Sequence, residues 1–388
     1  MSDIKRLDII PNKLKEARLA RGFTITALAE KMNLYKQSIS QYELDQAKPS
    51  FDTIQKYCDI LNFPINYFLK DNFINLNEGT VFFRSLKSTE AVLREEIKIL
   101  IQWANLIYTK IEKYIEFPIL NMPTITEELL KDLDQEKIEN IASLVRDYWG
   151  LGNQPIQNLA LTLETNGIII CNNNINYQQI DACSQIINKN LVFFVRTNNI
   201  SACRLRFDLA HELGHAILHR DITKEELEDK KVLDKIEKEA NMFAGAFLLP
   251  KDSFGNDVMA ISLEHLINLK AKWKVSISAI IYRCSTLGIF NENQVLYLRK
   301  MLGVKNWRKV EPLDDSIRNE KPSLIANAIK IIINEKVSKI TILKNDINLP
   351  EEDIEELSSL PNGYLGEDVV PLKVKNNVLN FYEFNNKE

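Results

Sequence analysis

Apolar residues recur at helical spacing through the first seventy positions. Leu14, Ala17 and Ala20 form one stripe that ends at Gly22, a residue suited to a helix C-terminus. Thr24 is an N-cap candidate for a second helix carrying Leu28, Ala29 and Met32. Residues 35–44 continue with Ile39 and Tyr42 turned inward. Pro49 and Ser50 open a further helix through Ile54, Tyr57, Cys58 and Leu61, and Pro64 precedes a last turn at 65–69. The pattern predicts five short helices, an all-α domain over residues 1–70.

A connector over residues 71–130 follows. Residues 72–79 read as loop, 81–86 as a short strand or extended segment, and 89–115 as a long helix rich in Ile, Leu, Glu and Lys. Amphipathic helices are predicted at 138–149 and 156–166, and strands in the β-rich apolar runs 167–171 and 191–195. Residues 205–218 are strongly helical. Residues 222–238 are charged, helical or partly mobile, and 240–249 form an apolar helix stopped by Pro250. The chain beyond Leu263 is mostly helical. The expected class is mainly α with a small β-sheet (α+β): a head at 1–70, a helical connector at 71–130, a body at 131–300 and a helical C-terminal region at 301–388.

Composition narrows the function classes. With 388 residues, 45% hydrophobic and 26% charged, the chain is an ordinary globular protein of two or three domains. No apolar run approaches the ~18 residues of a membrane span, and the first residues lack the apolar core of a secretory signal. The five cysteines are scattered and form no CxxC pair, which points to reduced thiols and a cytoplasmic location. The net charge of −4 divides unevenly: residues 1–70 hold 11 Lys/Arg against 8 Asp/Glu, net +3, and the remainder is −7. A basic head on an acidic body suggests a nucleic-acid module joined to something else.

Histidine marks that other part. Of four in the chain, His211, His215 and His219 fall within nine residues. His211, Glu212 and His215 form an HExxH motif on a helical pattern. Histidines at i and i+4 share one helix face, so both imidazoles can reach one metal ion while Glu212 touches the attacking water. Zinc suits such ligands. Ala210, Leu213, Gly214, Ile217 and Leu218 make the helix mostly apolar, so the polar trio belongs to a buried wall and needs a partner. Gly214, costly inside a helix, implies close packing or substrate approach.

A third ligand must come from elsewhere. His219 lies two turns from His211, too far to share the ion, and reads as a supporting residue; His265 reads as structural. Glu237 and Glu239 are the carboxylate candidates. Glu239 is favoured because it directly precedes the apolar stripe Ala240, Phe243, Ala244 and Phe247, whereas Glu237 faces the charged side.

The segments RFDLAHELGHAILH (206–219) and EKEANMFAGAFLLP (237–250) resemble the ImmA/IrrE family of zinc metallopeptidases. So do RDYWGLGNQPIQNL (146–159), DACSQ (181–185) and LKAKWKVSISAIIYRCSTLG (269–288). The resemblance covers most of residues 130–310. It implies a gluzincin-like site with His211, His215 and Glu239 as Zn2+ ligands and Glu212 as the base. It also implies cleavage of a repressor or antitoxin-like protein to switch on phage, mobile-element or stress genes. Cys183 stands where an aromatic residue is expected.

Residues 12–69 resemble the XRE, phage-repressor-like helix-turn-helix family through LKEARLARGFTITALAEKMNLYKQSISQYELDQAKPS. Residues 35–44 would enter the major groove, offering Lys36, Gln37, Ser38 and Gln41 to DNA. Glu43 is a candidate tie between that helix and its scaffold. Asn33 and Asp45 replace usual glycines, and Ile25 replaces a polar phosphate anchor. FFRSLKST (82–89) resembles the linker of long two-domain members, and EPLDD (311–315) their C-terminal extension. The expectation is a homodimeric DNA-binding regulator with zinc-dependent endopeptidase activity. The alternative is a non-proteolytic regulator whose peptidase-like domain serves as sensor or dimerisation platform.

Overall fold

The computed structural model describes residues 8–69, 81–83, 91–172, 182–187, 189–223, 225–335, 346–366 and 379–380. The helices described are, in chain order, α1 (Pro11–Ala20), α2 (Ile25–Met32), α3 (Lys36–Glu43), α4 (Phe51–Leu61), α5 (Ala91–Ile111), α6 (Glu127–Leu130), α7 (Gln135–Tyr148) and α8 (Leu159–Thr165). They continue with α9 (Ala202–Leu218), α10 (Lys230–Leu248), α11 (Lys251–Asp257), α12 (Leu263–Trp273), α13 (Ile277–Thr286), α14 (Glu292–Val304), α15 (Leu324–Glu335) and α16 (Glu351–Leu357). The strands are β1 (Val81–Phe83), β2 (Ile115–Glu116), β3 (Ile169–Asn172), β4 (Ala182–Ile187), β5 (Asn190–Val195) and β6 (Leu379–Asn380). The chain is thus mostly helical with a small sheet. The loop read at 72–79, the linker at 84–89 and Asp181 lie outside the described residues. Among the described residues no helix is long and apolar enough to cross a membrane.

The chain forms two compact units. One comprises residues 1–79, 85–117 and 323–388; the other, residues 80–84 and 118–322. This regroups the sequence-based division. The connector helix α5 packs with the head because it buries most of its circumference, including Ile97, Ile99, Ile101, Trp103, Ala104 and Ile107. A helix that buries so much apolar surface cannot serve as a solvated spacer. The C-terminal region, expected as one piece at 301–388, is shared between the units.

In the first unit, α2 and α3 form the helix-turn-helix. Thr24 Oγ1 accepts from the Ala27 amide (3.0 Å), the expected N-cap, and Ser50 Oγ from the Thr53 amide (3.2 Å) at the helix start that Pro49 and Ser50 mark. Asn33 occupies the left-handed conformation (φ 54°), as does Asp45 (φ 57°), which is how both stand in for glycine. Glu43 of α3 receives a bidentate pair from Arg18 of α1, Nε at 2.6 Å and Nη2 at 2.7 Å, and both side chains are buried. Trp103 of α5 donates to Glu16 (2.7 Å), and Arg21 makes a bidentate pair with Asp353 of α16 (2.8 and 2.7 Å). Connector and tail are therefore parts of the head's core.

In the second unit the sheet order is β1-β4-β5-β3. β4 pairs antiparallel with β1 and β5, and β3 pairs parallel with β5. Apolar periodicity does not reveal β4. Five of its six residues are buried, so it lacks the alternation of a half-exposed strand. Residues 301–322 belong here because their carboxylates cap buried helix starts. Glu311 accepts from the Ile277 and Ser278 amides (2.7 and 3.0 Å) and from Lys270 (2.9 Å). Glu320 accepts from the Leu159 amide (2.6 Å) and pairs with the buried Arg206 of α9. Helices α9 and α10 pack so closely that a Cβ on Gly214 would lie 3.1 Å from Phe243 Cδ1 and 3.3 Å from the Ala240 backbone. Close packing is thus what Gly214 is for.

Candidate active site

Helix α9 starts at Ser201, whose hydroxyl accepts from the Arg204 amide (3.3 Å), and its apolar flanks bury His211, Glu212 and His215 together. The His211 and His215 Nε2 atoms lie 3.0 Å apart. The carboxylate that reaches them is Glu237, not Glu239. Its Oε2 is 3.4 Å from His211 Nε2 and its Oε1 3.3 Å from His215 Nε2. One donor atom from each of the three residues lies within 4.8 Å of the other two.

The correction has a helical cause. The charged run and the apolar run expected as separate segments are one continuous helix, α10. On it Glu237 is three residues from Ala240 and seven from Ala244, so it continues the stripe facing α9. Glu239, one residue from Ala240, is turned about a hundred degrees away. That periodicity was the available signal for Glu237.

Glu239 has a different role. Its Oε2 lies 3.0 Å from His219 Nε2, and His219 Nδ1 lies 3.0 Å from His215 Nδ1, all three side chains being buried. The carboxylate can only accept, so His219 Nε2 carries its proton toward Glu239. Its Nδ1 then accepts from His215 Nδ1, which turns His215 Nε2 toward Glu237. Burial lowers the His219 pKa, opposed by the Glu239 contact, consistent with a neutral ring in this chain. His211 is oriented similarly. Asn241 donates from Nδ2 to the Glu237 carbonyl (2.8 Å), which turns its Oδ1 to His211 Nδ1 (3.2 Å). Burial would raise the Glu237 carboxyl, but its contacts with the His211 and His215 rings outweigh that and hold it well below the usual carboxylate range.

Glu212 points the other way around α9. The Ser184 hydroxyl, on β4, donates to Glu212 Oε2 (2.6 Å) and is itself buried. Neither Ser184 nor Asn241 was singled out from the sequence. The neighbouring Cys183 is buried, and burial together with the Glu212 charge pushes its thiol far above the ordinary range, so it is an inert wall residue. His265 is elsewhere, with Nε2 3.0 Å from the Asp257 carbonyl. A cavity of about 1090 Å³ reaches the site, lined by Arg204, Phe207, Asp234, Glu237, Asn241 and Tyr282 among others.

In the first unit, Lys36, Gln37 and Gln41 are exposed on α3 and Ser38 is partly so. Tyr35, the N-cap position of α3, is 81% exposed and joins them as a further candidate contact.

Residues 189–285 match the family model of the IrrE N-terminal-like domain, a peptidase family, and residues 14–68 match that of the helix-turn-helix. The HTH-type transcriptional regulator ImmR of Bacillus subtilis (strain 168) is 33% identical over 89 residues, 23% of this chain and 70% of that protein. A solved Mycobacterium tuberculosis transcriptional regulator is 16% identical with a TM-score of 0.30, the match spanning 48% of this chain and 51% of that one.

Proposed function

The chain belongs to the XRE-type helix-turn-helix regulators and carries a fused IrrE/ImmA-like peptidase domain, and from that premise we propose that it is a zinc-dependent endopeptidase positioned on DNA by its own head. The observation that carries the reading is the convergence of His211 Nε2, His215 Nε2 and the Glu237 carboxylate beside a separately held Glu212. Two imidazole nitrogens and a carboxylate oxygen are a donor set that suits zinc. His211, His215 and Glu237 would hold the ion. When bound, zinc supplies Lewis acidity that brings a water's pKa near 7.

The remaining work belongs to the chain. Glu212 takes the proton from the attacking water and delivers it to the leaving amine as the peptide bond breaks. Ser184 fixes the Glu212 carboxylate by a charge-assisted hydrogen bond, so the base does not rotate away between the two transfers. Asn241 and His219 hold the ligand rings in one tautomer. The wide, mixed-charge cavity beside Glu237 is suited to a polypeptide rather than a small molecule.

The substrate in this reading is a repressor or antitoxin-like protein. The head brings the peptidase to the operator where such a protein acts, through Lys36, Gln37, Ser38 and Gln41. With only +3 net charge, binding is by a homodimer and falls steeply with salt. Purified wild type and Glu212→Gln, each loaded with zinc, are to be incubated with proteins encoded by adjacent genes. Cleavage by the wild type alone is expected. Cleavage by Glu212→Gln would remove the base assignment, and none by either protein would favour a regulator that senses rather than cuts.

A further inference from the structure

The strand that holds the base is also the strand that the chain's own connector covers. β4 carries Ser184, whose hydroxyl positions Glu212, and on one side β4 is paired with β5. Its other edge is taken by β1, antiparallel, in the register Val81↔Gln185, Phe82↔Ser184 and Phe83↔Cys183. The backbone of residue 82 therefore lies directly opposite the residue that touches the catalytic carboxylate. β1 is the terminal strand of the sheet and contributes three residues.

An open strand edge is a row of unpaired amide and carbonyl groups, and an extended peptide binds it by adding as one more strand. Here that edge runs past Glu212, so a peptide lying along it would have its backbone within reach of the base. A three-residue strand offers few ladder hydrogen bonds and is easily exchanged. The sheet behind it is complete without β1, because β3, β5 and β4 are paired among themselves.

Building on the peptidase reading, in which an extended substrate segment adds along the outer edge of β4, we propose that residues 81–83 are a strap that must leave that edge before substrate binds. The chain as folded then restrains its own cleft, and the strap belongs to the connector that leads from the DNA-binding head. Recognition at this edge is by peptide backbone, so the partner class is a segment that is unfolded or readily unfolded.

The full-length chain in the Glu212→Gln background, with fluorescein-labelled casein as the unfolded probe, tests this by binding alone. Phe82→Pro removes a strand amide and should tighten casein binding at least fivefold. Val81→Cys with Gln185→Cys ties the strap to β4 between register partners. Once oxidised it should weaken binding at least fivefold, with recovery on reduction. Binding unchanged by both alterations would overturn the proposal, as would failure of the paired cysteines to cross-link. A wild-type chain that cuts itself within the connector on zinc addition would also overturn it, making residues 81–83 substrate rather than strap. Casein binding that follows the strap while wild type never cleaves would sink the peptidase reading and leave the strap standing.

Discussion

Ser184 and Glu212, twenty-eight residues apart, meet at 2.6 Å in the interior, joining the strand β4 to the helix α9 at the point where catalysis is proposed. A hydroxyl donating to a carboxylate fixes the direction of the anion without neutralising it.

Ser184→Ala should therefore lower kcat about tenfold, the value of a charge-assisted hydrogen bond of roughly 1.5 kcal/mol. KM and zinc affinity should be unchanged, since Ser184 touches neither histidine. Steady-state kinetics with zinc titration checks this. A loss of zinc with kcat intact would assign Ser184 to the metal side.

The His215–His219–Glu239 chain makes a separable prediction. His219→Leu removes the acceptor for His215 Nδ1 and should weaken zinc binding by about 10- to 100-fold. His219→Gln offers a carbonyl to His215 and an amide to Glu239 at nearly the imidazole's spacing, and should restore most of it. Competition against a chromophoric chelator reads both. Equal loss in the two variants would mean that His219 acts by packing alone.

On the DNA side, Lys36 and Gln37 stand exposed at the start of α3 but should contribute differently. Lys36→Ala should weaken binding to all sequences and reduce the slope of log K against log salt by about 0.9 per site. Gln37→Ala should leave that slope alone and relax preference at one base pair, at a cost of about 1–3 kcal/mol. Anisotropy titrations at several salt concentrations separate the two.

Glu96 predicts a pH dependence of the first unit. It is 8% exposed, and burial, opposed by Arg21 and assisted by Glu356, raises its carboxyl to about 7. An acid with a folded pKa above its unfolded value stabilises the fold while protonated, and that contribution is lost as pH rises from about 4.5 through 7. Glu96→Gln should remove this fall and leave the variant more stable at pH 8, by up to about 3 kcal/mol. Denaturant melts at pH 5 and 8 test it. A wild type with no such fall relative to the variant would contradict the buried-acid reading.

What the sequence disclosed follows from the range of the forces involved. The helix cap at Thr24, the helix start at Ser50, the left-handed Asn33 and the i, i+4 histidine pair are local and legible. The Arg18–Glu43 tie was half legible, since Glu43 stood out but its partner lies twenty-five residues away. β4 was hidden because burial on both faces erases alternation. Glu237 and Glu239 are separated only by helix phase: the charged run 222–238 and the apolar run 240–249 read as two segments, whereas one helix spans Lys230–Leu248 and sets spacing from Ala240 above adjacency to it. The division of the tail depended on Asp353, Glu311 and Glu320, whose partners are distant in sequence.

The proposed metal site turns on which carboxylate completes it. Zinc affinity and stoichiometry should be measured for wild type, Glu237→Ala and Glu239→Ala by chelator competition and elemental analysis. One zinc per chain is expected in the wild type, a loss of affinity beyond 100-fold in Glu237→Ala, and a smaller loss of about 10- to 100-fold in Glu239→Ala. Retention of wild-type affinity by Glu237→Ala, with loss in Glu239→Ala, would contradict the site described.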